Sequence, residues 1–152
     1  MKLKLAFYSL VISSLLFSCT PNESSNNSNK IDNEIPESLK IEWSDSLKQE
    51  GNYLVFFYSD TCAHCQEIMG DVIAFANDNI KQLYFANTIS NDTKITIKSN
   101  EEPVVGIDDI SEFYIVGTPT LIEVAEGTVI ANIPGKDACL TFLNNERLSA
   151  QK

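Results

Sequence analysis

Apolar residues are unevenly spaced along the chain, and the spacing predicts most of its elements. Tyr53 to Ser59 is a continuous apolar and aromatic run, the pattern of a strand buried on both faces. Ile68, Val72, Phe75 and Ala76 recur at helical intervals and predict a helix from about Cys62 to Asn77. Gln82 to Asn87 reads as a second strand, and Lys94 to Lys98 alternates like a short edge strand. Upstream, Trp43 and Leu47 stand four apart and predict a short helix over Ile41 to Gln49, broken at Gly51-Asn52. Ile107, Ile110 and Tyr114 predict a helix over Ile107 to Tyr114. Thr120 to Val124 and Thr128 to Ile133 flank Glu126-Gly127, a hairpin turn. Lys136 to Arg147 returns to helical spacing. Strand–helix–strand followed by helix–strand–strand–helix predicts an α/β domain, a central mixed sheet flanked by helices. Trp43, Tyr58 and Phe113 are read as core.

The amino terminus follows a different logic. Lys2 and Lys4 precede Leu5 to Phe17, thirteen residues that are apolar except for serines. The run is short for a bilayer span but fits a secretory signal. It ends in Leu16-Phe17-Ser18-Cys19, which resembles the bacterial lipoprotein signal, in which the cysteine becomes the lipidated first residue. Residues 1–18 are thus read as a signal peptide and Cys19 as a lipid anchor. A conventional signal with an incidental cysteine is the alternative. Residues 19–35 are read as a flexible tether, since Thr20 to Asn33 is polar and low in complexity. Fully extended, fourteen residues reach about 45–50 Å. The folded domain occupies residues 36–152.

Charge narrows the partners. The chain carries 11 basic and 21 acidic residues, a net charge of −10. Loss of Lys2 and Lys4 leaves 9 basic against 21 acidic residues, or −12. So acidic a domain argues against nucleic acid as a partner, and leaves membrane contact to the lipid. A lipid-anchored protein outside the cytoplasm meets conditions in which disulfide chemistry is expected.

The candidate chemistry is Cys62-Ala63-His64-Cys65, between the predicted first long strand and its helix. A disulfide closing so small a ring adds little stability, because loop-closure stabilisation grows with loop length. It suits a bond that opens and closes. At the helix N-terminus, unpaired N–H groups and the dipole favour a thiolate, which makes Cys62 the nucleophile. Cys65, one turn on, is placed to resolve a mixed disulfide. Protonated His64 favours the thiolate, while Asp60 and Glu67 oppose it. Metal is a poor fit, because His64 is the only histidine, and haem attachment would need a histidine where Gln66 stands. A static disulfide is the third reading. Cys139, near Leu140, Phe142 and Leu143, is read as buried and inert, with a third redox thiol or an intermolecular crosslink as the alternative.

Val116-Gly117-Thr118-Pro119-Thr120 supplies the second motif. Together with the dithiol, in this order and spacing, it resembles the thioredoxin-like family over about Trp43 to Leu148. The resemblance implies a thioredoxin-like fold, a cis-proline at Pro119 beside the dithiol, and substrate contact through Thr118. It implies thiol–disulfide oxidoreductase activity without an organic cofactor. The partners it implies are protein thiols and disulfides, with a membrane electron donor as a further class. Gly70 and Gly135 match family positions in the first long helix and the final turn.

The chain also departs from the family. The buried acid six residues before the first cysteine is here Phe56. The usual tryptophan before that cysteine is Thr61, and the intervening dipeptide is Ala63-His64. Glu67 is the candidate substitute proton acceptor. The function expected is reduction of protein disulfides outside the cytoplasm. A disulfide-forming oxidase or isomerase, which His64 favours, and a non-catalytic accessory lipoprotein stand beside it.

Overall fold

The structure, a computed structural model, describes residues 35–90 and 93–152. The signal peptide, Cys19 and nearly all of the tether lie outside the described residues. The elements are β1 (Lys40–Ile41), β2 (Asn52–Tyr58), α1 (Ala63–Asn77), β3 (Gln82–Asn87), β4 (Ile89–Ser90), β5 (Thr93–Lys94), β6 (Thr120–Ala125), β7 (Thr128–Pro134) and α2 (Lys136–Ala150). Five strands form one mixed sheet in the order β1-β3-β2-β6-β7. β2 runs parallel to β3 and antiparallel to β6. β4 and β5 form a separate small hairpin.

β2 organises the core. Tyr53 to Tyr58 are all buried, and the period-2 alternation of a strand divides them between two clusters. Leu54, Phe56 and Tyr58 face α1 and α2, where Ile68, Val72, Phe75 and Leu143 pack. Tyr53, Val55 and Phe57 face the other way, onto Leu47, Ile95, Phe113 and Ile115. Each such side chain contributes about 1.5–3 kcal/mol by leaving water. Both long helices therefore cover one face, and loops cover the other. This α/β arrangement, a central mixed sheet flanked by helices, is the architecture expected from the sequence.

Three expected elements differ. Ile41 to Gln49 is not a helix: Ile41 pairs with Ala86 in the sheet, and Trp43–Asp45 form a 3-10 turn. Side chains there bind the backbone in place of a helical ladder. Ser46 Oγ donates to the Trp43 carbonyl at 2.5 Å, and Tyr53 Oη donates to the Ser46 carbonyl at 3.1 Å. Ile107 to Tyr114 is irregular. Gly106 and Ile107 pair with Val129 on the edge of β7, and Asp109 Oδ1 accepts from the Ser111 amide at 2.8 Å. Ile107 and Ile110 instead pack singly against the second cluster, while Tyr114 Oη donates to the Glu102 carbonyl at 2.9 Å. The edge strand stops at Lys94, and Ile97 makes one isolated bridge to Ile115.

Turn chemistry is as read. Glu126 (φ 49°) and Gly127 (φ 79°) both take positive φ, which matches the right-handed twist of the hairpin. α1 runs unbroken through Gly70. No helix among the described residues is long and apolar enough to cross a membrane.

Candidate functional site

Topology gathers the candidate residues at one end of the sheet. β2 and β3 both end there, β6 begins there, and β7 delivers α2 there. Phe57 is opposite Thr120, so the segment before β6 lies beside the segment after β2. Cys62 leaves the first segment and Thr118-Pro119 ends the second.

The turn after β2 is built from short polar side chains. Ser59 and Thr61 hydroxyls lie 3.1 Å apart, and the Cys62 amide donates to the Ser59 carbonyl at 3.0 Å. This reversal delivers Cys62 as the N-cap of α1, in extended backbone geometry (φ −82°, ψ 107°). Its sulfur accepts the Cys65 amide at 3.1 Å. A backbone N–H already points at the atom that would carry charge as a thiolate. Cys62 and Cys65 are joined in a disulfide, with Cα atoms 5.2 Å apart. A four-residue loop of this kind stabilises by about 2 kcal/mol, against about 3 kcal/mol for a fifteen-residue loop.

The two sulfurs have different surroundings. Cys65 is fully buried among the side chains of α1 and β2, while Cys62 is half-buried at the surface. Cys62 is therefore the sulfur of the pair open to approach from solvent. His64 and Glu67 are exposed, with His64 Nδ1 3.5 Å from Glu67 Oε2. Lys136, at the start of α2, sits 2.6 Å from the same carboxylate oxygen. Lys136 first, and His64 second, hold the Glu67 carboxyl below its ordinary range.

Phe56, where the resemblance leads one to look for an acid, is fully buried and packs edge-on against Phe85, with centroids 6.1 Å apart. Among the described residues, the polar residues buried as a whole are Ser46, Thr88 and Thr120, none of them acidic. No group of three or more potential ligands among the described residues could hold a metal ion.

The Thr118-Pro119 peptide bond is cis. Pro119 is buried, and its carbonyl accepts from the Gly135 amide at 2.8 Å. Thr120 Oγ1 donates to the Gly117 carbonyl at 2.7 Å. Gly135 itself has φ 93° and ψ 150°, a conformation nearly restricted to glycine. Gly135→Ala is expected to cost about 1–3 kcal/mol, read by urea denaturation, although a methyl group there would meet open space. An unchanged midpoint would show that the loop relaxes freely.

Sequence reasoning missed the partners that come from far along the chain. Lys136 reaches Glu67 across 69 positions, and Asn87 reaches Asp60 across 27. Neither pairing leaves a local signal. Cys139 is fully buried, and its thiol donates to the Ile133 carbonyl at 3.3 Å.

No protein-family model and no curated protein matches the chain. Among solved structures, it is similar to thioredoxin f2 of Chlamydomonas reinhardtii, at 14% identity over 72% of this chain and 95% of that one, with a TM-score of 0.45. Spinach chloroplast thioredoxin f is similar at 12% identity over 71% and 84%, with a TM-score of 0.46. A mutant thioredoxin from Halobacterium salinarum is similar at 20% identity over 71% and 88%, with a TM-score of 0.43.

Proposed function

We propose that this protein is a thiol–disulfide oxidoreductase that exchanges the Cys62–Cys65 pair with protein substrates. One observation carries the reading: a minimal disulfide ring caps α1, with its outer sulfur accessible and receiving a backbone N–H. In the reducing direction, the Cys62 thiolate attacks a substrate disulfide and forms a mixed disulfide. Cys65 then attacks Cys62 Sγ, closes the internal disulfide and releases the reduced substrate. Thr118 and Pro119 line the sheet end where the substrate chain would lie. His64 and Glu67 adjust the charge around Cys62. Cys19 would tether the domain to the outer side of a bacterial cell membrane, where a membrane electron donor would recharge the dithiol.

A second reading rests on His64, which stands exposed between the cysteines. Protonated, it stabilises the Cys62 thiolate and makes the disulfide more oxidising, which would favour disulfide formation or isomerisation.

Cys65→Ser tests the function. The variant is expected to accumulate a covalent Cys62 adduct with its substrates, visible as a reducible mass shift and identifiable by mass spectrometry. If it traps no protein under conditions that load the wild type, the catalytic reading fails and a fixed disulfide in an accessory protein stands.

A further inference from the structure

The resolving step needs a proton acceptor for Cys65. Cys65 must lose its proton before it can attack, and it is fully buried. Phe56, buried in the same cluster as Cys65, offers no proton acceptor. Glu67 is engaged by Lys136 and His64 and held as the anion, which makes it a weak proton acceptor.

We propose that Asp60 takes the proton from Cys65 during resolution and returns it to the departing thiolate, a reading that rests on the redox function above. Asp60 stands two residues before Cys62 and is fixed from both sides. Gln66 Nε2, from the residue after Cys65, donates to its carbonyl at 3.0 Å. Asn87 Nδ2, at the end of β3, donates to Oδ2 at 3.3 Å. The first contact ties the Asp60 backbone to the first turn of α1, and the second holds its carboxylate against the end of β3. The other oxygen, Oδ1, is shielded from solvent and has no hydrogen-bond partner among the described residues. A buried carboxylate oxygen left open in this way needs an explanation, and proton exchange supplies one. The transfer runs directly or through one water.

The step balances within the pair. In the mixed disulfide, the Cys65 S–H bond breaks and its proton passes to Asp60. The Cys65–Cys62 S–S bond forms as the Cys62–substrate S–S bond breaks. The substrate sulfur leaves as a thiolate and is protonated from Asp60. Two electrons pass from the dithiol to the substrate disulfide.

The test uses the reduced full chain, with Cys19→Ser to remove its competing thiol, mixed with 5,5′-dithiobis(2-nitrobenzoate). Attack by Cys62 releases one coloured thiolate, and resolution by Cys65 releases the second. Asp60→Asn is expected to leave the first phase unchanged or faster, since a negative charge near Cys62 is lost. The second phase should slow by about 100-fold. Asp60→Ala should slow likewise and recover with added formate, while Glu67→Gln, which removes a negative charge near Cys62, should speed the first phase without slowing the second. The first phase reports whether each variant is folded. If Asp60→Asn leaves the second phase unchanged or speeds both phases, the residue acts only through its charge and the proposal is overturned. Slowing by Glu67→Gln instead moves the role to Glu67 and overturns it equally. A wild type that shows no second phase overturns the redox reading itself.

Discussion

Cys62→Ser is expected to abolish disulfide exchange altogether, whereas Cys65→Ser should retain the first step. The asymmetry follows from the geometry. Cys62 is the accessible sulfur, caps α1 and accepts the Cys65 amide. A serine hydroxyl at that cap can accept the same N–H but does not ionise at neutral pH, so the helix stays capped and the nucleophile is lost. Folding should survive, because the four-residue ring contributes only about 2 kcal/mol. Reduction of a model protein disulfide, followed by turbidity, checks the loss. Thermal denaturation of the same samples checks the fold. Exchange persisting in Cys62→Ser would make Cys65 the nucleophile, against its burial.

The second large effect concerns Cys139 and pH. Burial pushes this thiol from an ordinary 9.0 up to about 12. Above pH 9 the unfolded chain releases the Cys139 proton while the folded chain keeps it. The folded state then binds more protons, so stability falls as pH rises. The stabilisation is complete below pH 9 and is lost toward pH 12 at about 1.4 kcal/mol per pH unit. Tyr53, Lys81 and Lys136, whose folded values are also raised, add slopes of the same sign. A comparison with Cys139→Ala isolates the cysteine, because those groups remain in both proteins. Urea denaturation of the oxidised proteins between pH 8 and pH 11 should show the wild type losing its advantage over the variant. Parallel pH curves would mean that the thiol ionises in the folded state, and would reopen Cys139 as a reactive group.

The long elements were legible because each carries a sustained pattern and its own boundary. The unbroken run from Tyr53 predicted a strand buried on both faces, and it is one. α1 follows its apolar stripe from the Cys62 cap, and Glu126-Gly127 closes the hairpin. The two short helices failed for a shared reason. Two or three apolar residues at helical spacing do not overcome the cost of nucleating a helix. In both segments other hydrogen bonds were on offer, from Ser46 and Tyr53 in one and from the edge of β7 in the other. In the site, the cysteine pair was legible as a local motif. The shielding of Asp60 was not, since it depends on Asn87 arriving from β3 in register with Tyr58.

The most direct test of a reversible Cys62–Cys65 bond is an equilibrium titration of the pair against glutathione buffers, with the oxidised fraction read by alkylation and mass spectrometry. The expected midpoint lies between about −270 and −120 mV, toward the lower end for a reductase and the upper end if His64 dominates. A pair that stays oxidised below about −300 mV would behave as a structural disulfide and contradict it.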